Sequence, residues 1–309
     1  MSAPGRPKGE FRSAQHEGTP ASPPGRPKGE FRSAQHEGTP VSTPLVQVDW
    51  AGRPVQIEHA WVGVHDSAAP LLVFLHEGLG SVSMWRDFPG RLCAALGWRG
   101  LVYSRPGYGQ STPRPADEHW GPDFMHSQAE QLLPALLDAL GVTGRYALFG
   151  HSDGGSIALL HAAHAPQRVA AAVVLAPHIV VEPFGLASIR LTRAQYLTGD
   201  LHSRLARHHA DVDSAFFGWN DIWLAPEFLP WDLRPRLPYI RCPVLAIQGV
   251  DDVYGTMAQI DGIAAALPGS RTRLLKLPAC GHSPHRDQPE AVIAACQGFL
   301  AGALSIQET

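Results

Sequence analysis

Short apolar runs alternate along the chain with segments of helical periodicity, and this alternation constrains the fold more than any other feature. The runs are rich in Val, Leu and Ile, which is typical of strands covered on both faces. They occupy residues 71–75, 100–103, 146–149, 169–175, 244–247 and 272–277. Segments that predict helices lie between them, at 84–96, 125–140, 155–165, 256–267 and 289–300. This pattern predicts an α/β fold with a mostly parallel sheet and helices on both faces.

A hairpin and an insertion complete this prediction. Residues 45–50 and 55–64 alternate apolar and polar around a short turn, which predicts an antiparallel hairpin and brings the sheet to eight strands. The alternation breaks at 178–241, a partly helical stretch rich in His and aromatic residues. We expect residues 44–177 and 242–304 to form the α/β core. We expect 178–241 to be a helical cap at the carboxyl edge of the sheet, where ligands bind in open α/β sheets.

The first 43 residues have a different composition. Residues 4–20 recur letter for letter at 24–40, and residues 1–43 contain 7 Pro and 6 Gly. Two copies without apolar periodicity are too few for a solenoid, which stacks three or more units. The composition predicts a disordered tail with no folded role, the alternative being a docking peptide.

Composition and charge exclude several classes of function. The 309 residues include 25 Lys and Arg against 28 Asp and Glu, a net charge of −3, so nothing predicts binding to nucleic acid or to an anionic membrane. No apolar run approaches the roughly 20 residues that cross a bilayer, and no secretory signal is visible. The four cysteines are scattered without a CxxC pair, which argues against disulfides and structural zinc. We expect a cytoplasmic protein, a monomer or homodimer, that acts on a small molecule.

Residues 150–154 read Gly-His-Ser-Asp-Gly and match the pattern GxSxG. The pattern alone is weak, since it arises by chance in about one chain in five of this composition. Its context is specific, because a predicted strand comes directly before it and a predicted helix directly after it, as a nucleophile elbow requires. Such a turn strains the serine and exposes its hydroxyl. We predict that Ser152 is a nucleophile; the alternative is a glycine-rich turn with an idle serine.

A serine nucleophile needs a base that takes its proton and an acid that orients the base. In this architecture the acid and the base follow the serine in that order. Asp251 and Asp252 follow the predicted strand at 244–247, and His282 and His285 follow the last strand. Chain order therefore predicts a Ser–Asp–His triad and leaves the choice within each pair open.

The elbow, the acids and the late histidines together resemble the α/β-hydrolase family, and the resemblance covers essentially all of residues 44–304. It implies Asp252 as the acid, the fourth residue of G-x-x-D, with Asp251 as the alternative. It implies His282 as the base, since the family shows Gly-His before a helix that opens with x-Pro-Glu. His285 is then expected to be a loop residue or one that supports the base. The resemblance implies serine hydrolysis that needs no metal or organic cofactor.

Two backbone N–H groups are needed to hold the oxyanion of a tetrahedral intermediate. The amide of Asp153, directly after the nucleophile, is the first. The resemblance places the second in the loop that reads His-Glu-Gly-Leu-Gly at 76–80, where family members usually show HGxG, so that Glu77 is a departure. Matching Gly-Leu-Gly to the family's G-x-G makes Leu79 the donor, with Gly78 as the alternative. A tight turn without catalytic role is the remaining interpretation of this loop.

The predicted cap concentrates six aromatic residues between positions 216 and 231. They form either an apolar lid over the substrate, with Trp219 and Trp223 lining the pocket, or the small core that any helical cap needs. The cap also contains Arg190, Arg193, Arg204 and Arg207. We expect these arginines to be solvated; bidentate contacts to a substrate carboxylate are the alternative.

The residues around the elbow also bear on the substrate. Ser152 argues against the dehalogenases and epoxide hydrolases of the family, whose nucleophile is Asp. The carbon–carbon bond hydrolases of aromatic degradation commonly show Asn and Met or Phe where this chain has His151 and Asp153. The carboxylates of Asp153 and Glu77 should repel anionic acyl groups. We expect a small neutral ester, thioester or lactone as substrate. The alternatives are a carbon–carbon hydrolase or enol-lactonase and, in another class, a non-catalytic ligand sensor.

Overall fold

Eight strands form one sheet in the computed structural model, which describes residues 44–267, 269 and 271–305 of the chain. The predicted tail at 1–43, with its repeat, lies outside the described residues. The strands are β1 (Leu45–Trp50), β2 (Arg53–Gly63), β3 (Leu71–Leu75), β4 (Arg99–Tyr103), β5 (Tyr146–His151), β6 (Val169–Leu175), β7 (Val244–Gly249) and β8 (Thr272–Leu277). Each corresponds to one of the predicted strands.

The sheet is mostly parallel, which confirms the predicted fold class. The strand order is β1-β2-β4-β3-β5-β6-β7-β8. The β1–β2 and β2–β4 pairs are antiparallel, and all other neighbours are parallel. Because the parallel strands share one direction, the loops that follow β3, β5, β6, β7 and β8 leave the sheet at the same edge.

Helices connect the strands and cover both faces of the sheet. They are α1 (Phe88–Leu96), α2 (Phe124–Ser127), α3 (Leu133–Ala139), α4 (Asp153–His164), α5 (Pro183–Thr198), α6 (Leu201–Leu205), α7 (Val212–Leu224), α8 (Ala258–Ala266), α9 (Pro284–Asp287) and α10 (Pro289–Ser305). Alternate residues of β3 face opposite apolar clusters, with Val73 packed in one and Phe74 in the other. Among the helices that the structure describes, none is long and apolar enough to cross a membrane.

The structure departs in detail from three local predictions. The helix predicted at 84–96 is interrupted at Arg86, whose φ of 55° is left-handed, and α1 begins only at Phe88. The helix predicted at 125–140 contains a π-helical turn, Gln128–Leu132, between α2 and α3. Strand β8 is not covered on both faces, because it lies at the edge of the sheet and several of its side chains are exposed.

The segment between β6 and β7 contains α5, α6 and α7, and its aromatic residues pack together as part of the apolar cluster on one face of the sheet. The ring of Phe216 stacks on Tyr196 with centroids 3.6 Å apart, and Phe228 stacks on Trp231 at 5.3 Å. Both phenylalanines are fully buried. The segment is therefore an organised helical unit; that it acts as a cap over a substrate remains a prediction.

Candidate active site

The turn between β5 and α4 places Ser152 in a strained conformation. Its φ is 54° and its ψ is −120°, a region that costs a residue other than glycine about 1–3 kcal/mol. A Cβ on Gly150 would overlap the carbonyl of Gly154, and a Cβ on Gly154 would overlap the carbonyl of Leu75. The two glycines of the motif are therefore required by close backbone contacts, and the turn exposes the serine hydroxyl at the edge of the sheet.

His282 lies between the serine and a carboxylate. Its Nε2 is 2.9 Å from Ser152 Oγ, and its Nδ1 is 2.8 and 2.9 Å from the two carboxylate oxygens of Asp252. Asp252 also accepts hydrogen bonds from the amide of Tyr254 at 2.8 Å and from the side chain of Gln248 at 3.2 Å. Since Nδ1 donates to the carboxylate, Nε2 is left to accept the proton of the serine.

The structure distinguishes between the two candidate acids. Burial of Asp252 favours its neutral form, but the hydrogen bond and charge of His282 together with the hydrogen bond from the amide of Tyr254 outweigh burial and lower the pKa of the carboxyl below its usual value. Asp252 is therefore charged at neutral pH. Asp251 is exposed, and its amide donates to the carbonyl of Cys280 at 2.9 Å. The structure thus brings Asp252, and not Asp251, to the imidazole.

The second candidate histidine lies away from the serine. His285 lies in the short helix α9 and not in a loop; it is buried, and its ring centroid is 4.7 Å from that of His151, which bonds to the backbone of His282. The ring of His285 packs against Trp85 and Phe88 with centroids 5.0 and 5.5 Å away. Burial, with the nearby His151, lowers the pKa of His285 well below its usual value. His285 is a neutral packing residue behind the site.

The loop after β3 is fixed by a buried polar network. The carbonyl of Glu77 accepts hydrogen bonds from His76 Nδ1 at 2.7 Å, from Arg105 Nη2 at 2.8 Å and from the amide of Gly80 at 3.1 Å. His76 Nε2 accepts the amide of Arg105 at 3.0 Å. These contacts require the neutral Nδ1–H tautomer, in line with a pKa that burial and Arg105 hold well below the usual value. The loop is therefore held rigidly beside the serine.

Backbone N–H groups beside Ser152 are free to hold an oxyanion. None of the amides of Gly78, Leu79 and Asp153 donates to another residue that the structure describes. All three residues line the same cavity as Ser152. The indole of Trp219 lies so close to Gly78 that a Cβ there would overlap it. The predicted donors Leu79 and Asp153 are thus brought to the serine, and Gly78 remains the alternative to Leu79.

The cavity is small and mostly apolar. It has a volume of about 110 Å³, and both Ser152 and His282 open into it. Its apolar walls are formed by Leu79, Ile189, Trp219, Trp223 and Tyr254. The two tryptophans predicted as pocket residues therefore lie in the pocket. Phe216, Phe228 and Trp231 pack in the apolar cluster that the segment shares with one face of the sheet, so they do not form a separate cap core.

The side chain of Asp153 lies beneath the cavity and is buried. It accepts a hydrogen bond from Trp223 Nε1 at 3.1 Å, and its other oxygen is 3.8 Å from Arg105 Nη2. Burial raises its pKa to about 6, and the guanidinium of Arg105 opposes that rise. The carboxyl is therefore charged at neutral pH and partly compensated by one cation.

Glu77, which departs from the family's usual HGxG pattern, faces two basic side chains. Its carboxylate is 3.5 Å from His151 Nδ1 and 3.5 Å from Arg286 Nη2. Burial opposes ionisation of Glu77, but the facing side chains of His151 and Arg286 hold its pKa well below the usual value. His151 Nε2 is 2.7 Å from the carbonyl of His282, and because a carbonyl only accepts, Nε2 carries the proton. Glu77 thus supports His151, which in turn holds the backbone of the base, His282.

Sequence reasoning missed three residues of the cavity, namely His178, Ile189 and Tyr254. For His178 the signal was its place directly after β6, at the edge where ligands bind in open α/β sheets. The four cap arginines do not line the cavity; Arg193 donates to Asp221 at 2.6 Å, and the other three are exposed. The described residues contain no cluster of three or more His, Cys, Asp or Glu that could hold a metal ion.

Comparisons with known sequences find a hydrolase-fold model and relatives that include a hydrolase, an esterase and a polyketide synthase. A sequence model described as "alpha/beta hydrolase fold" matches residues 70–213. The chain is 28% identical to the polyketide synthase ThaQ of Burkholderia thailandensis over 76% of its own length, but it spans only 12% of that protein. It is 24% identical to the 2-hydroxy-6-oxo-6-phenylhexa-2,4-dienoate hydrolase of Burkholderia cepacia, covering 74% of this chain and 87% of that one. It is 29% identical to the pimeloyl-[acyl-carrier protein] methyl ester esterase of Nitrosomonas europaea, covering 53% and 74%.

Solved structures show the same fold. The enol-lactonase from Burkholderia xenovorans superposes with a TM-score of 0.63 at 24% identity, covering 84% of this chain and 100% of that one. A thermophilic esterase from Thermogutta terrifontis superposes with a TM-score of 0.63 at 20% identity, covering 84% and 99%. The eight-stranded sheet, its strand order and these matches agree that the chain has the α/β-hydrolase fold.

Proposed function

We propose that the chain is a serine hydrolase that cleaves a small, neutral ester-type substrate through an acyl-enzyme intermediate. The observation that carries this proposal is the distance of 2.9 Å between Ser152 Oγ and His282 Nε2, with the Asp252 carboxylate 2.8 Å from the other ring nitrogen. This is the arrangement that converts a weakly nucleophilic hydroxyl into an effective nucleophile.

Acylation begins with the transfer of the serine proton. His282 Nε2 accepts this proton while Ser152 Oγ attacks the carbonyl carbon of the ester. The electron pair of the carbonyl moves to its oxygen, which receives hydrogen bonds from the amides of Asp153 and of Leu79 or Gly78. The tetrahedral intermediate then expels the alcohol, which takes the proton from His282.

Deacylation repeats these steps with water as the nucleophile. His282 accepts a proton from water, and the hydroxide attacks the acyl carbon. The second tetrahedral intermediate expels Ser152 Oγ, which recovers its proton from the imidazolium, and the carboxylic acid leaves. The charged Asp252 stabilises the imidazolium in both halves. The cycle consumes one ester and one water and yields one acid and one alcohol.

The size of the cavity supports a short acyl group. A water molecule occupies about 30 Å³ of the liquid, and an apolar cavity of about 150 Å³ is large enough to bind benzene. The cavity beside Ser152, at about 110 Å³, therefore has room for roughly four heavy atoms. The acyl groups that fit best run from acetyl to about butyryl, whether they arrive as esters, thioesters or lactones.

Relatives with other reactions supply the alternatives. The dienoate hydrolase of Burkholderia cepacia and the enol-lactonase of Burkholderia xenovorans resemble this chain in sequence or fold. A carbon–carbon hydrolase or enol-lactonase would use the same serine and histidine. A phenyl-bearing dienoate exceeds the volume beside Ser152, and the Asp153 carboxylate disfavours an anionic acyl group. These two features favour the small neutral ester.

Reduced cysteines support a cytoplasmic location, which is part of the proposal. Cys93, Cys242, Cys280 and Cys296 are all buried and free in the described structure. Free thiols are typical of proteins that work in a reducing compartment. The proposal includes a monomer or homodimer that acts on a small molecule.

Labelling with a serine-reactive fluorophosphonate tests the nucleophile. The full chain should gain the mass of one adduct, and Ser152→Ala should gain none. A panel of p-nitrophenyl esters from acetate to octanoate then tests the substrate class. We expect kcat/KM to be at least about tenfold higher for acetate to butyrate than for octanoate, because the longer chain exceeds the cavity. Equal labelling of both proteins would remove Ser152 as the nucleophile, and ligand binding without turnover would favour the sensor.

A further inference from the structure

His178 is held at the cavity by its backbone. It is the third residue after β6, and its backbone amide donates a hydrogen bond to Ser156 Oγ at 3.0 Å. The hydroxyl of Ser156 in turn donates to the carbonyl of His178 at 2.7 Å. These two contacts tie the start of the segment to α4, which carries the elbow. The backbone that carries the imidazole is therefore fixed by the same helix that positions the nucleophile.

The imidazole ring of His178 faces the cavity without a polar partner. Only 6% of the residue is exposed, yet neither ring nitrogen has a hydrogen bond to any residue that the structure describes. The ring packs edge-on against Trp223 with centroids 4.9 Å apart. These nitrogens are not among the fully enclosed unpartnered atoms of the described structure, so they are open to the cavity, where a bound molecule can form a hydrogen bond with them.

The polar groups nearest to His178 are already engaged. His282, whose ring centroid is 5.9 Å away, uses both nitrogens in the triad. The hydroxyl of Tyr254 pairs with Thr192 Oγ1 at 2.9 Å. The other polar side chains that line the cavity also have partners: Ser152 bonds to His282, Asp153 accepts from Trp223, and Glu77 faces His151 and Arg286. We therefore look for the hydrogen-bond partner of the His178 ring among the atoms of a bound substrate.

The charge state of His178 narrows the chemistry of that partner. Burial and the neighbouring His282 lower its pKa to about 4, so the ring is neutral at neutral pH. A neutral imidazole offers one N–H donor and one acceptor nitrogen. A hydroxyl can satisfy either nitrogen and a carbonyl can satisfy the donor, whereas a carboxylate finds no cation here.

We propose that His178 binds a hydroxyl or carbonyl oxygen on the acyl part of the substrate, which makes esters of short hydroxy- or oxo-acids the substrate class. This inference deepens the proposed function and rests on it. A 3-hydroxybutyryl group adds roughly four heavy atoms beyond the ester carbonyl, which is what a cavity of about 110 Å³ holds. His178 acts here as a specificity residue, while the chemistry stays with Ser152 and His282.

Three ethyl esters of equal chain length test this inference. They are ethyl butyrate, ethyl 3-hydroxybutyrate and ethyl 3-oxobutyrate, with acid release followed in a pH-stat. The proteins are the full-length wild type, His178→Leu, His178→Gln and the matched control His164→Leu, which changes an exposed histidine at the end of α4. The readout is the ratio of kcat/KM for a substituted ester to that for ethyl butyrate, because a folding defect lowers all rates together and leaves this ratio unchanged.

We expect the wild type to prefer at least one substituted ester by about tenfold or more, and His178→Leu to reduce that ratio by about 10- to 100-fold. His178→Gln, which keeps a donor and an acceptor, should retain part of the preference, and His164→Leu all of it. If His178→Leu is insoluble, a ratio in His178→Gln equal to that of the wild type overturns the inference. It is also overturned by a wild type without preference, or by a His178→Leu ratio equal to the wild-type ratio. A wild type that hydrolyses none of the three esters would instead refute the proposed function.

Discussion

The hydrogen bond from Trp223 to Asp153 should make the stability of the protein depend on pH in a specific way. Trp223 Nε1 donates to the buried carboxyl at 3.1 Å, and Arg105, at 3.8 Å, is the cation beside it. Replacing Trp223 by Phe removes the donor and leaves an aromatic ring in place. The substitution therefore separates the loss of a hydrogen bond to a charge from most of the loss of packing.

The magnitude follows from the pKa of Asp153. Burial raises it from 3.8 to about 6, so the native state holds this proton more tightly than the unfolded chain does. The protonated carboxyl of Asp153 therefore adds about 3 kcal/mol to the free energy of unfolding. This contribution is complete below about pH 4 and is lost as the pH rises through 6. Without Trp223 the carboxylate loses a bond worth about 1.5–3 kcal/mol, and the neutral acid loses one worth about 0.5–1.5 kcal/mol. The pKa of Asp153 should therefore rise by about one unit more.

Denaturant unfolding of wild type and Trp223→Phe, at about pH 5 and about pH 8, measures this effect. We expect Trp223→Phe to lose about 1 kcal/mol more free energy of unfolding at the higher pH than at the lower. Trp219→Phe is the matched control, since Trp219 lines the same cavity and does not bond to Asp153. In an Asp153→Asn background the extra loss should vanish. An equal loss at both pH values, or the same extra loss in Trp219→Phe, would refute the reasoning.

Three further substitutions have defined outcomes. Asp252→Asn should lower kcat on a short ester by about 10⁴-fold with the fold intact by circular dichroism, because the imidazole loses its orienting anion; a rate near that of the wild type contradicts this role. Gly154→Ala should lower the melting temperature and abolish turnover, since its Cβ overlaps the carbonyl of Leu75, and a stable, active variant contradicts the geometry of the turn. Glu77→Gln should lower kcat by about tenfold with little change in KM, because the charge facing His151 is lost. A change in KM without a fall in kcat would contradict the role of Glu77 in positioning His151.

The strands could be predicted closely because each is a local feature of the sequence. The runs 71–75 and 169–175 coincide with the covered strands β3 and β6 residue for residue. A strand covered by helices must be apolar along its whole length, so the run itself marks the ends. The exposure of β8 could not be predicted in this way, since it depends on its place at the edge of the sheet. Helix breaks such as the one at Arg86 depend equally on surroundings that the local pattern does not contain.

The sequence predicts those residues of the candidate site that lie just after the ends of parallel strands. Ser152, Asp252 and His282 each follow a parallel strand, so the topology brings them to one edge whatever the lengths of the connections. His178 also follows a strand, but the place of its backbone beside the cavity depends on hydrogen bonds with Ser156, which the spacing of residues in the sequence does not predict. The sequence therefore predicts which loops meet, and tertiary hydrogen bonds decide which side chains enter the cavity.

The two carboxylates beside the site do not weigh equally on a substrate. Glu77 faces His151 at 3.5 Å, and its charge is compensated within the network that supports the base. Asp153 has one cation, Arg105, at 3.8 Å, and its pKa of about 6 means that its charge develops as the pH rises through that value. Discrimination against anionic acyl groups should therefore come from Asp153 and strengthen above pH 6. Discrimination by cavity volume is independent of this charge, so the preference for short acyl groups should persist at pH values where Asp153 is protonated.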